Sequence, residues 1–229
     1  MERVPQTTVV RHWLRLEAAK DRPESARSDD ESPVDDPASP ADDALSVDEL
    51  TDREALNELL DRKPGAAAFL WRDAPVEWYR LGLTRAEFDA LHVVEGPPDL
   101  GWRSLARDGT VRGAAQRIDR GNPERLAATT GVDVPAVVSL AEQLPPATEH
   151  ALVLSTRQGC VPWTVADGNH RAVATALALR RGASYEPRPA YLGVGANPVA
   201  VPLWERLCGV GRRIVSGLTG SLGRDGGRQ

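Results

Sequence analysis

The stretch from Val165 to Gly182 reads VADGNHRAVATALALRRG and decides the predicted fold. Val165 and Ala166 end a strand, Gly168 supplies a turn, and the residues after it form a helix that Gly182 ends. The first amides of a helix have no partner inside it, and the helix dipole favours negative charge there. The stretch therefore predicts an anion site at the helix N-terminus, and the anion we expect is a nucleotide phosphate.

Five consecutive residues carry this predicted site. Gly168 lets a ligand approach the backbone, and the amides of Asn169, His170 and Arg171 point towards the ligand. Side chains in the first helical turn tilt towards the N-terminus, so the His170 ring and the Arg171 fork reach the same anion. Asp167 orients the turn or a metal ion. The alternative is a structural corner in which Asp167 only caps the helix.

Residues 151–194 carry a resemblance to a known family. ADGNHRAVATAL, followed by PRPAYLGV, resembles the second conserved box of the ParB and sulfiredoxin-like superfamily. Upstream, TVRGAAQRIDRG resembles the helix of the first box and LTRAEFDALHV its strand-and-turn start, which leaves residues 122–150 as an insertion. The resemblance implies an α+β fold, a compact ParB/sulfiredoxin-like mixed sheet with packed helices.

The residues of the box discriminate between members of that superfamily. ParB proteins that bind CTP and DNA carry two adjacent arginines after an acidic residue, whereas this chain has Asn169, His170 and Arg171. Sulfiredoxins place a reactive cysteine where Asn169 stands, and an amide lacks thiolate chemistry. The chain is most similar to the DG-x-HR form of ParB-like free-serine kinases. That resemblance implies binding of a nucleoside triphosphate with Mg²⁺ by residues 168–171.

Hydrolysis, or phosphotransfer to a small-molecule acceptor, needs a carboxylate that activates the attacking hydroxyl. Asp167 and Glu95, at the end of a predicted strand, are the candidates, and no metal-ligating cluster is indicated. The alternative function is a DNA- or partner-binding regulatory module without catalysis. No helix-turn-helix follows the box, which disfavours DNA binding. A nuclease is a third alternative, although no acidic cluster that could hold two metals is evident.

The organisation of the chain follows from composition. Residues 1–20 form an N-terminal segment, and residues 21–45, rich in Pro, Ser and Asp, are predicted to be a disordered acidic linker. A helix follows at residues 46–65, the ParB-like domain spans residues 66–200, and an amphipathic helix with a tail occupies residues 201–229. Net charge is −5, but residues 21–49 alone account for −9, so the rest is basic overall.

Local patterns predict further elements. Capping-box spacing occurs at Ser46 with Glu49, at Thr51 with Glu54 and at Thr84 with Glu87, and the first two leave the start of the helix over 46–65 open. Hydrophobic periodicity predicts helices over 111–120, 123–128 and 135–144, and strands over 67–71 (AAFLW), 77–83 (EWYRLGL), 92–95, 151–156, 161–166 and 188–194. A tight turn that includes Cys160 joins the strands over 151–156 and 161–166, and residues 96–102 (GPPDLGW) are predicted to be a loop.

Composition also restricts the class of protein. The two cysteines, Cys160 and Cys208, form no CxxC pair, and no apolar run is long enough to span a membrane, so we expect a cytoplasmic protein with no membrane partner. Lysine occurs only at Lys20 and Lys63, a bias typical of GC-rich coding. Arginines could form a basic strip towards the phosphate site, or simply a solvated helix face; they are Arg103, Arg107, Arg112, Arg117 and Arg120.

Overall fold

The computed structural model of the chain describes residues 1–20, 46–71, 74–143, 150–157 and 162–196. Three sequence predictions therefore lie outside the described residues. They are the acidic linker at 21–45, the turn around Cys160 and the C-terminal amphipathic helix.

The described residues form a mixed α+β structure. Its strands are β1 (Glu2–Val4), β2 (Val76–Leu83), β3 (Leu152–Arg157), β4 (Thr164–Asp167) and β5 (Arg188–Gly195). Its α-helices are α1 (Gln6–Ala18), α2 (Asp52–Arg62), α3 (Ala67–Leu70), α4 (Arg85–Asp89), α5 (Gly101–Leu105), α6 (Val111–Arg120), α7 (Pro123–Thr130), α8 (Val134–Gln143) and α9 (Asn169–Arg180). The α+β class predicted from the sequence is confirmed.

The five strands make one sheet in the order β1-β2-β5-β3-β4. Strand β5 pairs in parallel with β3 and antiparallel with β2, while the β1–β2 and β3–β4 pairs are antiparallel. Parallel neighbours need a long crossover, and α9 supplies it by carrying the chain from edge strand β4 over the sheet to β5. The predicted site at the start of α9 therefore lies at the end of an edge strand.

Helices cover both faces of the sheet because apolar residues alternate along its strands. Leu152 and Leu154 face a cluster built with α4 to α9, whereas Val153 and Tyr191 face a second cluster built with α1, α2 and α3. Residues Met1–Asn197 consequently form one compact unit. The N-terminal segment belongs to that unit through edge strand β1 and helix α1. The helix expected over 46–65 is α2, Asp52–Arg62, which covers the second face together with α1.

Two predicted strands differ from the structure. The AAFLW run continues from a 3-10 turn, Pro64–Ala66, into helix α3, because alanine favours helix and Leu70 packs beneath it. The run 92–95 has ladder contacts at His92 alone, which bridges Thr110 and Thr164. The amide of the next-but-one residue, Val94, donates to the side chain of Asn169 at 3.0 Å, so the ladder ends there.

Two of the three predicted capping boxes are confirmed. Ser46 and Glu49 lie in a turn, in which the Glu49 amide donates to the Ser46 carbonyl, and no helix starts there. The Thr51 hydroxyl accepts from the Glu54 amide and the Glu54 carboxylate accepts from the Thr51 amide, which starts α2 at Asp52. Thr84 and Glu87 do the same for α4. Helix α7 runs two residues beyond its predicted end, to Thr130, and Gly131 ends it at φ 72°. Helix α5 begins at Gly101, within the predicted GPPDLGW loop at residues 96–102.

We expect Gly193→Ala to destabilise the fold. A Cβ at this central position of β5 would lie 2.8 Å from ring atoms of Trp78, which is 2 % exposed and has no room to move. Overpacking of this kind costs about 1–3 kcal/mol in free energy of unfolding, measurable by urea denaturation. Gly96→Ala, where nothing lies within 4 Å, is the control. Equal unfolding midpoints for the two variants would contradict this packing.

Candidate functional site

The turn before α9 depends on Gly168. Its φ of +90° belongs to the left-handed region, and a Cβ there would lie 2.7 Å from the Leu152 side chain and 2.9 Å from Arg171 Nη2. No side chain caps the helix, so its first amides are not satisfied by a cap. The predicted strand, glycine turn and helix are thus present, with a helix N-terminus that offers backbone donors.

Packing holds this N-terminus in place. Helix α9 is buried on most of its circumference, including Ala172, Ala174 and Ala176, and packs against α6 and α8. The small side chains permit close approach on all sides. The backbone amides at its start are consequently fixed relative to the sheet.

Asp167, at the end of β4, is the buried carboxylate of the site. Its side chain is 9 % exposed and forms ion pairs with Lys63 and, at 3.6 Å, with Arg171. Burial raises the pKa of Asp167, but the charge and hydrogen bond of Lys63, with Arg171, outweigh it and leave the pKa below its usual value. Asp167 is therefore ionised and compensated at neutral pH.

Lys63 is the residue that the sequence analysis missed. Its ammonium lies between Asp167 and Glu17, 2.8 Å from Glu17 Oε1, and Glu17 also accepts from Lys20 at 2.7 Å. Burial lowers the pKa of Lys63, yet the two carboxylates raise it above its usual value, so the group stays charged. Helices α1 and α2 thus contribute charged groups to the end of β4.

Arg171 is anchored within the protein. Its Nη1 donates to the carbonyl of His150 at 2.7 Å and less closely to that of Ala151, while Nη2 faces Asp167. Its side chain is 19 % exposed. The guanidinium therefore ties α9 to the chain entering β3, and only part of its fork remains for a ligand.

Asn169 acts mainly as a brace. Its Oδ1 accepts from the Val94 amide at 3.0 Å and its Nδ2 donates to the Val165 carbonyl at 3.2 Å. The residue is 8 % exposed. A contact between Asn169 and a ligand would therefore come from the backbone amide.

His170 is the residue of the motif that is most open to solvent. Its ring meets Trp102 edge-on, with centroids 4.8 Å apart. Desolvation of the ring lowers its pKa, more than the nearby carboxylates of Asp133 and Asp167 raise it. The imidazole is therefore neutral at pH 7 and can either donate or accept a hydrogen bond.

These groups line one cleft of about 1060 Å³. Its charged and polar lining residues include Lys20, Lys63 and residues 167–171, and its aromatic lining residues include Trp102, beside His170, and Phe69, beside Trp13. All five residues of the predicted DGNHR site thus lie together. Glu95, the second predicted catalytic residue, is exposed and does not line the cleft. In the described part of the chain, no group of three or more potential metal ligands is present.

The arginine strip lies elsewhere. Arg107, Arg117 and Arg120 line a separate groove of about 920 Å³ together with Arg125, and this groove shares no residue with the cleft. Arg117 Nη1 donates to the carbonyls of Ser104 and Leu105, so the guanidinium also closes the end of α5. The expectation that the strip leads to the phosphate site does not hold for these three residues.

Comparison of the chain with protein-family models, curated proteins and solved structures finds no match. The ParB-like resemblance of the DGNHR box therefore stays a prediction. Among the described helices, none combines the length and apolar character that crossing a membrane requires.

We expect Asp167→Asn to lower the free energy of unfolding by roughly 1–3 kcal/mol at pH 7, because Lys63 and Arg171 lose a charged partner. The native pKa of Asp167 is lowered, so its stabilisation exists above the unfolded-state pKa of about 3.9 and disappears as pH falls through the native value. Urea denaturation of both proteins between pH 7 and pH 3 should therefore show a difference that shrinks towards low pH.

The control is Asp89→Asn, which removes the i,i+4 pair of Asp89 with Arg85 at 2.9 Å on α4. Surface pairs of this kind contribute about 0.5 kcal/mol or less. A loss at Asp167 no greater than that at Asp89 would show that the buried pair does not stabilise the turn.

Proposed function

We propose that the chain binds a nucleoside triphosphate, as its Mg²⁺ complex, in the cleft at residues 167–171. One observation carries this proposal: Lys20, Lys63, Arg171 and the N-terminus of α9 converge on a single cleft that Trp102 and Phe69 also line. A site that combines concentrated positive charge with an apolar surface fits a ligand that has a phosphate end and a planar end.

Phosphate oxygens would meet the backbone amides at the start of α9. These amides are donors without intrahelical partners, and the helix dipole adds partial positive charge at the same place. The neutral ring of His170 adds one further donor at the open side. This arrangement favours phosphate without requiring the anchored Arg171 to leave its carbonyl partners.

The nucleoside would lie against an aromatic residue of the cleft, Trp102 or Phe69. Trp102 and Phe69 are half-buried and line the cleft, so each offers an apolar surface to a planar base. Ser139 and Gln143, exposed on α8, add polar groups to the lining of the cleft. A volume of about 1060 Å³ accommodates a nucleotide.

Charge around the cleft supports the role of Mg²⁺. Lys20, Lys63 and Arg171 are balanced in part by Asp167 and Glu17, and the ring of His170 is neutral, so the local surplus is one positive charge. A triphosphate carries several negative charges. Mg²⁺ would enter bound to the phosphates and neutralise part of their negative charge. It would need few protein ligands, as is usual where Mg²⁺ is bound together with phosphates.

Binding is the core of the proposal, and hydrolysis or transfer to a small-molecule acceptor would be a further step. A general base needs a carboxylate free to take a proton. Asp167 is ion-paired with a lowered pKa, which makes it a weak base, and Glu95 lies outside the cleft. The geometry therefore favours a nucleotide-binding protein over an efficient kinase.

Nucleic-acid binding is the second candidate, and the arginine groove is the observation that favours it. Its four guanidinium groups form no ion pair with a carboxylate among the described residues. Helices α7 and α8 also meet through a short turn at Gly131, as in a helix-turn-helix. Two exposed carboxylates, however, repel phosphates here: Asp133 immediately before α8, and Glu142 on it. This candidate predicts affinity for DNA that falls steeply with salt.

We expect one of ATP, CTP, GTP or UTP with Mg²⁺ to raise the unfolding temperature, since a ligand at one hundred times its Kd stabilises by about 2.7 kcal/mol. His170→Ala should weaken the affinity about fivefold, because one hydrogen bond of about 1 kcal/mol is lost. Thermal unfolding followed by calorimetric titration measures both effects.

His92→Ala is the matched control, because His92 lies outside the cleft and its desolvated ring also has a lowered pKa. Its affinity should equal that of the unmodified protein. If no nucleotide stabilises the protein while DNA binds in a salt-dependent manner, the second candidate replaces the first.

A further inference from the structure

We propose that Lys63, which lies outside the DGNHR motif, is a phosphate-binding residue of the cleft, and that Asp167 and Glu17 position its ammonium for this contact. The inference rests on the proposed function and adds to it a binding residue and two positioning residues. The site then depends on a lysine at the C-terminal end of α2.

Composition singles out this residue. The chain contains 28 lysines and arginines, of which 26 are arginine, and its two lysines, Lys20 and Lys63, line the same cleft. A coding bias explains the rarity of lysine but not why both lysines meet in space, 43 positions apart in the chain. Lysine differs from arginine in being a compact charge with three rotatable donors instead of a planar fork.

The contacts of Lys63 need that compact shape. Its ammonium is shared by Asp167 and Glu17 and lies 5.4 Å from the ring centre of Trp13. Two of its three donors therefore serve carboxylates, and among the described residues no third acceptor is present. The side chain keeps 29 % of its surface exposed, so the remaining donor is accessible from the cleft that the residue lines.

The two carboxylates explain how the ammonium is held. Asp167 ends β4 one residue before the turn, and Glu17 lies in the last turn of α1, so they approach Lys63 from different elements. Burial raises the pKa of each carboxyl group, but the charge and hydrogen bonds of the neighbouring lysines lower it by more, so both pKa values lie below their usual values. The pair thus restrains the ammonium beside Asp167, in the cleft that the start of α9 also lines, where a phosphate would complete its coordination.

A second feature of the cleft lacks an acceptor. The indole N–H of Trp13, beneath the ammonium of Lys63, is buried without a hydrogen-bond partner in the described part of the chain. Trp13 itself lines the cleft. Trp13 is fully buried, so among the described residues its N–H is a donor without an acceptor near Lys63, but only the ammonium of Lys63 is within reach of a ligand.

Side-chain NMR of the ammonium groups tests the contact directly. Protein labelled with [¹⁵N]lysine has only two Nζ signals, and Lys20→Arg leaves the signal of Lys63 alone, which assigns it while preserving charge. The probes are inorganic pyrophosphate and each of the four nucleoside triphosphates with Mg²⁺. We expect saturable shifts of the Lys63 Nζ signal with at least one probe. A Lys63 signal that does not move while that probe binds overturns the inference.

Affinity of a charge-conserving variant gives the second measurement. Lys63→Arg should weaken binding of the same probe about tenfold, because a guanidinium cannot keep both carboxylates and the ligand contact in the same space. Arg85→Lys, which exchanges the same two side-chain types on α4 outside the cleft, should leave the affinity unchanged. Urea denaturation shows whether the Lys63→Arg variant folds. If it does not fold, the NMR titration of protein that retains Lys63 decides whether this lysine contacts the ligand.

The outcomes separate this inference from the proposed function. One outcome supports the function and overturns the role of Lys63. In it, a nucleotide stabilises the protein and His170→Ala weakens its binding, but the nucleotide does not shift the Lys63 Nζ signal and Lys63→Arg leaves its affinity unchanged. Absence of binding by every probe overturns both.

Discussion

Lys63 compensates two carboxylates that would otherwise repel each other at the end of β4. Its ammonium bridges Glu17 on α1 and Asp167 on the sheet, so one charged group joins the N-terminal helices to the turn before α9. Removing a carboxylate from water costs a large desolvation free energy. A buried carboxylate is therefore tolerated only when it is paired with a cation and hydrogen-bonded. The geometry of the whole cleft depends on this compensation.

The residues of the DGNHR turn divide into two groups. Gly168, Asn169 and Arg171 build the turn, through a left-handed backbone, a brace to Val94 and an anchor to the His150 carbonyl respectively. The ring of His170 and the first amides of α9 remain for a ligand. A motif that looks like five binding residues is therefore largely the support that preorganises a few donors.

Positive charge serves different purposes in different parts of the molecule. In the cleft, lysines and Arg171 alternate with Glu17 and Asp167, which fixes their positions and limits the local surplus. In the groove between α6 and α7, arginines lack carboxylate partners among the described residues, which leaves an open positive field. The net charge of −5 does not predict either distribution of charge, because electrostatic interactions depend on the distance between the charges and on their burial.

The sequence by itself determined the elements whose signals are local. The glycine turn before α9 and the two capping boxes follow from residues within four positions of one another, and so does the apolar periodicity of α6. Only the tertiary structure decided that Lys63 meets Asp167 across 104 residues, that Glu95 stays outside the cleft, and that residues 1–20 cover the sheet. Such contacts arise where helices pack on both faces of one sheet, and periodicity along the chain does not specify which distant side chains that packing brings together.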